Sequence, residues 1–149
     1  MPLSPIKVFH GVLVQLTANI SVLTGANTLV TGYTVVYDTD DFYNDTDPSR
    51  LTVPNNPNFT MCEAFSTVGF QTSSNNFREC SVAKNGAVVR FGRRTSRVRV
   101  PNGEDSQQMI RFMPEIVAMG DYFELYVYQN NGTTISLFAG ETFFGLKIL

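Results

Sequence analysis

The sequence predicts an all-β fold, a β-sandwich or jelly roll built as a single domain. Apolar and polar residues alternate with period two along the chain, and no window keeps an apolar face at helical spacing. Asn-Gly pairs, which suit tight turns, occur at residues 85–86, 102–103 and 131–132. Many short strands rich in Thr, Val, Tyr and Phe, separated by such turns, are typical of sandwiches and jelly rolls.

The elements follow in order from this pattern. Pro2 and Pro5 mark residues 1–7 as an extended N-terminal arm, and residues 8–149 are predicted to form the jelly-roll domain. The three Asn-Gly turns separate the fifth, sixth and seventh predicted strands and the last two. Strands are predicted near residues 8–16, 28–37, 49–53, 59–69, 78–84, 87–99, 108–117, 121–129 and 134–149, the last interrupted by Gly140.

The composition limits the classes of protein that the chain can belong to. Its 149 residues suffice for one domain with a proper core. Only 16% of the residues are charged and 43% are hydrophobic, so we expect a partner to cover part of the surface. A net charge of -2 argues against general nucleic-acid binding. No stretch approaches the roughly 20 apolar residues of a membrane span, and the N-terminus does not read as a signal peptide.

The strand predicted at 121–129 has bulky residues on both faces. Phe123, Leu125 and Val127 alternate with a second set, which consists of Tyr122, Glu124, Tyr126 and Tyr128. Such a strand is covered on both sides, by its own core and by something else. We expect the second cover to be another copy of the chain, with the three tyrosines as interface residues.

Signals of catalysis are poor. His10 is the only histidine, and no nucleophile elbow, P-loop, zinc-protease motif or paired C-x-x-C accompanies it. One histidine and two cysteines cannot complete a structural zinc site. The sequence therefore predicts no enzyme, no metal and no cofactor. Cys62 and Cys80 are predicted in neighbouring strands of one hairpin, as two buried thiols rather than a disulfide.

An acidic segment at residues 38–47 holds five of the thirteen acidic residues. Clustered carboxylates are ligands that calcium prefers, so a calcium site is one reading. The segment lacks the mid-loop glycine and the terminal glutamate of an EF-hand, which favours a solvated polar loop.

A basic segment carries five of the eleven Lys and Arg residues, at Arg90, Arg93, Arg94, Arg97 and Arg99. One reading is a solvated strand edge that resists aggregation. Another is a docking strip, formed by the last four of these arginines, for an acidic protein surface. Nucleic acid comes third, because no interleaved aromatic residues accompany the arginines.

Three segments carry a resemblance to known proteins. Residues 34–56 resemble a pattern common in tailed-phage virion proteins, and they also resemble a segment of the complement globular head. Residues 82–90 resemble the Lys-Asn-Gly hairpin that follows this segment in the complement head. Near the end, Gly120 and Asp121 open a strand. The residues that match a Phe-Gly-rich final strand are Phe143, Phe144, Gly145 and Leu149. Together they resemble the complement-head and tumour-necrosis-factor-like jelly rolls. The resemblance implies about ten antiparallel strands and a homotrimer around a threefold axis.

The function expected from this resemblance is adhesive. The first hypothesis is a capsid cement or decoration protein of a tailed phage, made in the host cytoplasm and placed on the outer capsid surface, with the major capsid protein as partner. The alternative is a receptor-binding knob of a tail or head fibre, which an exposed aromatic shelf at Phe42 and Tyr43 would support. A secreted cytokine-like ligand comes third, because no signal peptide is recognised.

Overall fold

The computed structural model of the protein describes residues 8–73, 76–87, 95–100 and 104–149. The predicted arm at residues 1–7 and the Asn-Gly pair at 102–103 lie outside these residues. One short 3-10 helix, Ala139–Glu141, interrupts the strands near the end, as the expected break at Gly140 predicts. The strands are β1 Gly11–Leu16, β2 Ile20–Val22, β3 Thr28–Leu29, β4 Tyr33–Asp38, β5 Arg50–Thr52, β6 Met61–Ser73, β7 Asn76–Lys84, β8 Thr95–Val100, β9 Glu104–Arg111, β10 Glu115–Ile116, β11 Tyr122–Gln129, β12 Ile135–Leu137 and β13 Phe143–Ile148.

Two antiparallel sheets face each other. The large sheet has the order β2-β12-β6-β13-β1-β4, and β9 and β10 also pair with the long strand β6. The small sheet has the order β3-β11-β7-β8, with β5 also paired to β11. Successive strands often change sheet, for example from β6 to β7 and from β11 to β12. This exchange between two packed sheets confirms the predicted all-β jelly roll. Within the described ranges, no helix has the length and apolar character of a membrane span.

The core lies between the inner faces of the two sheets. Alternate residues of each strand point inwards, as the period-two pattern requires. Their burial removes apolar surface from water and holds the sheets together. Core residues that are at most 2% exposed include Val12, Val14, Leu16, Val68, Phe70, Val82, Leu125, Val127, Leu137, Phe144 and Leu146.

Two predicted strands divide in the structure. The segment predicted at 28–37 separates at Gly32, whose φ of 86° turns the chain from β3 in the small sheet to β4 in the large sheet. The segment predicted at 108–117 separates into β9 and β10 around Pro114, which has no backbone N–H for a sheet. Strand β2 has only three residues, too few for a period to be recognised in the sequence.

The turn at Asn85 and Gly86 is fixed to the start of β11. Both residues have positive φ, 53° and 75°, as the Asn-Gly pair predicts. Asn85 Nδ2 donates to Asp121 Oδ1 at 2.8 Å, and Lys84 Nζ lies 2.8 Å from Asp121 Oδ2. Burial opposes ionisation of Asp121, but these contacts and the backbone N–H of Ala118 outweigh it and lower its pKa to about 2.

The cysteines are free and buried, which confirms the two thiols. Their predicted place in one hairpin is wrong. Cys62 lies on β6 in the large sheet and Cys80 on β7 in the small sheet, because the chain changes sheet after the long β6. Cys80 Sγ lies 3.7 Å from Ser66 Oγ. Burial raises the pKa of both thiols to about 12, so both are neutral and unreactive near pH 7.

Candidate interaction surface

The outward face of the large sheet carries an apolar groove. We call this outward face the large-sheet face. Its members alternate with buried core residues on β1, β13, β6 and β9, so they point away from the core. Cross-strand pairing arranges them in rows, which join Leu13, Gly145, Phe65 and Arg111 in one row and Gln15, Phe143, Thr67 and Met109 in the next.

This face is open to solvent in the isolated chain. Met109 is 81% exposed, and Phe65 and Phe143 are half-buried. A groove of about 340 Å³ runs between β6, β9 and β13, lined by Phe65, Thr67, Met109 and Lys147 among others. A contiguous apolar groove with a charged rim is typical of a protein interaction site.

The Phe65 ring closely approaches the backbone of Gly145 on the large-sheet face. Phe65 sits beside Gly145 in the sheet, and a Cβ on Gly145 would collide with the Phe65 ring and with the carbonyl oxygen of Val12. The missing side chain therefore lets the ring lie on the strand. This close approach explains the Phe-Gly sequence at the end of the chain.

The charges of the face are paired within the chain. Arg111 donates from both Nε and Nη2 to Glu63, the latter at 2.8 Å to Oε2. The Glu63 side chain is 7% exposed and the Arg111 side chain 74% exposed, so the arginine covers the carboxylate. Lys147 is the cross-strand partner of Glu63 on the other side. The face can therefore be covered by an apolar partner without leaving Glu63 unpaired.

The three tyrosines predicted as interface residues lie on the outward face of the small sheet. Phe123, Leu125 and Val127 are in the core, which confirms the predicted alternation along β11, and all three tyrosines are half-buried. The guanidinium carbon of Arg50 lies 4.1 Å from the centroid of the Tyr122 ring. Arg50 Nε also donates to Glu124 Oε1 at 3.1 Å. The interface role of Tyr122, Tyr126 and Tyr128 stays a prediction.

The predicted basic strip is described only in part, because Arg93 and Arg94 lie outside the described residues. Arg97 and Arg99 are both exposed on β8, at the edge of the small sheet. Their guanidinium carbons lie 4.6 and 5.9 Å from the centroid of Phe77. Arg97 Nε lies 3.1 Å from Glu79 Oε2, so part of its charge is neutralised within the chain. The capsid-docking role of the four arginines stays a prediction.

The acidic segment is organised by its own backbone. The carboxylate of Asp38 accepts backbone N–H groups of Asp40, Phe42 and Tyr43, the last at 2.8 Å. Asp40 Oδ2 lies 2.8 Å from His10 Nδ1. No cluster of three metal-ligating side chains occurs among the residues that the structure describes. Asp38 therefore uses its carboxylate to close the turn of this polar loop.

The aromatic shelf considered for receptor binding is absent at Phe42. Its side chain is 1% exposed and stacks on Phe59, with ring centroids 5.9 Å apart. Tyr43 is half-buried and donates its hydroxyl to the carbonyl of Tyr33 at 3.2 Å. The sequence did not reveal this burial because both rings stand in a segment of acidic residues, a pattern typical of an exposed loop.

Comparison with solved structures agrees with this architecture. Neither a family model nor a curated protein sequence matches the chain. Murine APRIL at pH 5.0 superposes with a TM-score of 0.70 and 14% identity, over 95% of this chain and 100% of that one. The Eiger TNF of S. frugiperda superposes with a TM-score of 0.63 and 12% identity, over 95% and 92%. The fold is a tumour-necrosis-factor-like jelly roll. At these identities the likeness shows the fold alone.

Proposed function

We propose that the chain is a homotrimeric structural module whose subunits pack through the large-sheet face. The observation that carries this proposal is the exposed apolar groove around Phe65 and Met109, whose neighbouring charges are already paired. A domain with such a face gains stability by covering it with a second copy. The resemblance to obligate trimers supports three subunits, and a cyclic trimer closes without leaving an open end.

The role that we propose for the trimer is capsid decoration in a tailed phage. The virion-like pattern at residues 34–56 and the basic strip support it. A trimer matches the threefold positions of an icosahedral shell, where it would contact the major capsid protein on the outer surface. Its action is adhesive rather than catalytic, because many weak contacts at fixed spacing combine into lasting attachment.

Quantitative mass spectrometry of purified virions tests this role. Hundreds of copies of the chain per particle would place it on the shell, whereas a dozen or fewer would favour the fibre knob, and none would refute both. Binding to expanded capsids provides the second test. Removal of residues 1–7, or the double change Arg93→Gln and Arg94→Gln, should weaken attachment.

A matched control separates docking from general loss of positive charge. The double change Arg50→Gln and Lys84→Gln removes two cations outside both the basic strip and the large-sheet face, and it should leave capsid binding unchanged once folding is verified by circular dichroism. Equal loss of binding in both double variants would argue against a specific basic strip.

A further inference from the structure

Among the residues that the structure describes, Arg78 is a buried cation without a hydrogen-bond partner. It lies on β7, its exposed fraction is 0%, and it is the largest fully buried side chain of the described residues. None of its three guanidinium nitrogens has a hydrogen-bond partner within those residues. Its guanidinium carbon lies 5.9 Å from the centroid of the Phe70 ring. Guanidinium remains charged at any ordinary pH, so loss of a proton cannot relieve this burial.

The buried carboxylates of the described residues form ion pairs with other arginines. The buried acidic residues of the described chain are Glu63, Glu79 and Glu124. Each alternates along its strand with core residues, so it points to an outward face, and each has its own arginine, which is Arg111, Arg97 or Arg50 respectively. Within the described residues the charge of Arg78 is therefore uncompensated, and a buried charge without a counter-ion strongly disfavours folding.

The cross-strand neighbour of Arg78 is also engaged. Gln129 pairs with Arg78 in the small sheet and is fully buried. Its Nε2 donates to the carbonyls of Val22 and Thr133, and its Oε1 accepts the backbone N–H of Asn131 at 2.6 Å. This amide is therefore engaged with the backbone, and none of the guanidinium nitrogens of Arg78 bonds to it.

Two further unpaired polar groups face the same place from the large sheet. Ser106 and Gln108 are two residues apart on β9, so they point to the same side, and Ser106 is the cross-strand partner of Phe70. Gln108 Nε2 donates to the backbone carbonyl of Arg78 at 3.3 Å. Gln108 Oε1 and Ser106 Oγ are buried without a hydrogen-bond partner in the described part of the chain. Donors and an acceptor thus converge between the sheets.

We propose that Arg78 binds a small planar oxyanion at this end of the sandwich. The planar fork of the guanidinium matches two oxygens of such an ion, and Ser106 supplies one more hydroxyl donor. The free Oε1 of Gln108 accepts a hydrogen bond, so it favours an oxyanion that carries a hydroxyl group. Bicarbonate has this combination, whereas nitrate has the same shape without the hydroxyl. The site is independent of the proposed assembly role.

Thermal unfolding of the full chain tests the site. The probes are bicarbonate, nitrate and chloride as sodium salts at equal ionic strength and pH. At about ten times its dissociation constant, bicarbonate should raise Tm by about 3–6 °C, nitrate less and chloride least. Arg78→Met should abolish the increase in Tm, whereas Arg50→Gln, which removes an arginine on the outward side of the small sheet, should retain it. In Gln108→Met, the increase in Tm with bicarbonate should be no larger than the increase with nitrate. Equal increases in all three salts, or the same increase in Arg78→Met, would overturn the proposal.

Crystallography of the unaltered chain keeps the proposal testable where Arg78→Met does not fold. Crystals soaked in nitrate should show flat three-oxygen density within hydrogen-bond distance of the Arg78 guanidinium nitrogens. Water alone at that position, or a guanidinium in direct contact with protein acceptors, would refute an anion site.

Discussion

Replacement of Met109 tests the large-sheet face with little effect on the subunit. Met109 is 81% exposed in the isolated chain, so Met109→Ser should not disturb the core. Full burial of a methionine side chain contributes about 1.5–3 kcal/mol. Covering the exposed 81% therefore corresponds to about 1.2–2.4 kcal/mol for each subunit. Loss of this burial at three equivalent positions destabilises a trimer by about 4–7 kcal/mol. The substitution should therefore raise the dissociation constant of the trimer at least about a thousandfold.

Sedimentation velocity over a range of micromolar concentrations measures this change. Met109→Ser should shift the chain towards monomer, whereas the unaltered protein stays assembled. Met119→Ser is the matched control, because Met119 is 62% exposed, lies between β10 and β11, and does not line the groove. Tyr126→Ser examines the small-sheet face that the sequence predicts. Dissociation by Tyr126→Ser but not by Met109→Ser would refute the large-sheet interface and support the tyrosine face.

Three further predictions concern the subunit itself. Asp121→Asn should lower the free energy of unfolding by about 2 kcal/mol at pH 7. The reason is that the pKa of Asp121, lowered from 3.8 to about 2, stabilises the fold above pH 4 and ceases to do so as the pH falls to 2. Urea titrations should therefore show the difference in unfolding free energy at pH 7 and little of it at pH 2. Gly145→Ala should displace the Phe65 ring and cost about 1–3 kcal/mol, whereas Gly140→Ala, with open space around its Cβ, should not; unchanged stability of Gly145→Ala would contradict the close approach. Both cysteine thiols should react with a disulfide reagent at pH 8 only after denaturant is added, and rapid reaction in the native protein would contradict their burial.

The sequence determines local features well. The alternation along β11 correctly separates Leu125 and its neighbours from the tyrosines, because side chains on a strand point to opposite faces in turn. The Asn85-Gly86 turn follows from residues that accept positive φ. Both inferences need only neighbouring residues, which is why they could be made without coordinates.

Pairing between distant strands is harder to predict. The sequence around Gly32 does not show that the strands before and after it join different sheets. A strand has the same two-residue alternation of side chains in either sheet. The large-sheet face was missed for the same reason. Its signal was present in the adjacent Phe143 and Phe144, since neighbouring residues of a strand face opposite sides and one of two phenylalanines must point outwards. Arg78 gave no signal, because an arginine in a strand is usually exposed.

Native mass spectrometry of the unaltered chain tests self-association through the large-sheet face most directly. Each chain has a mass of 16.6 kDa. The proposal predicts that the dominant species at micromolar concentration contains three chains, and that Met109→Ser reduces it to one. A single chain as the dominant species in the unaltered protein would contradict the trimer and leave the apolar groove without its proposed occupant.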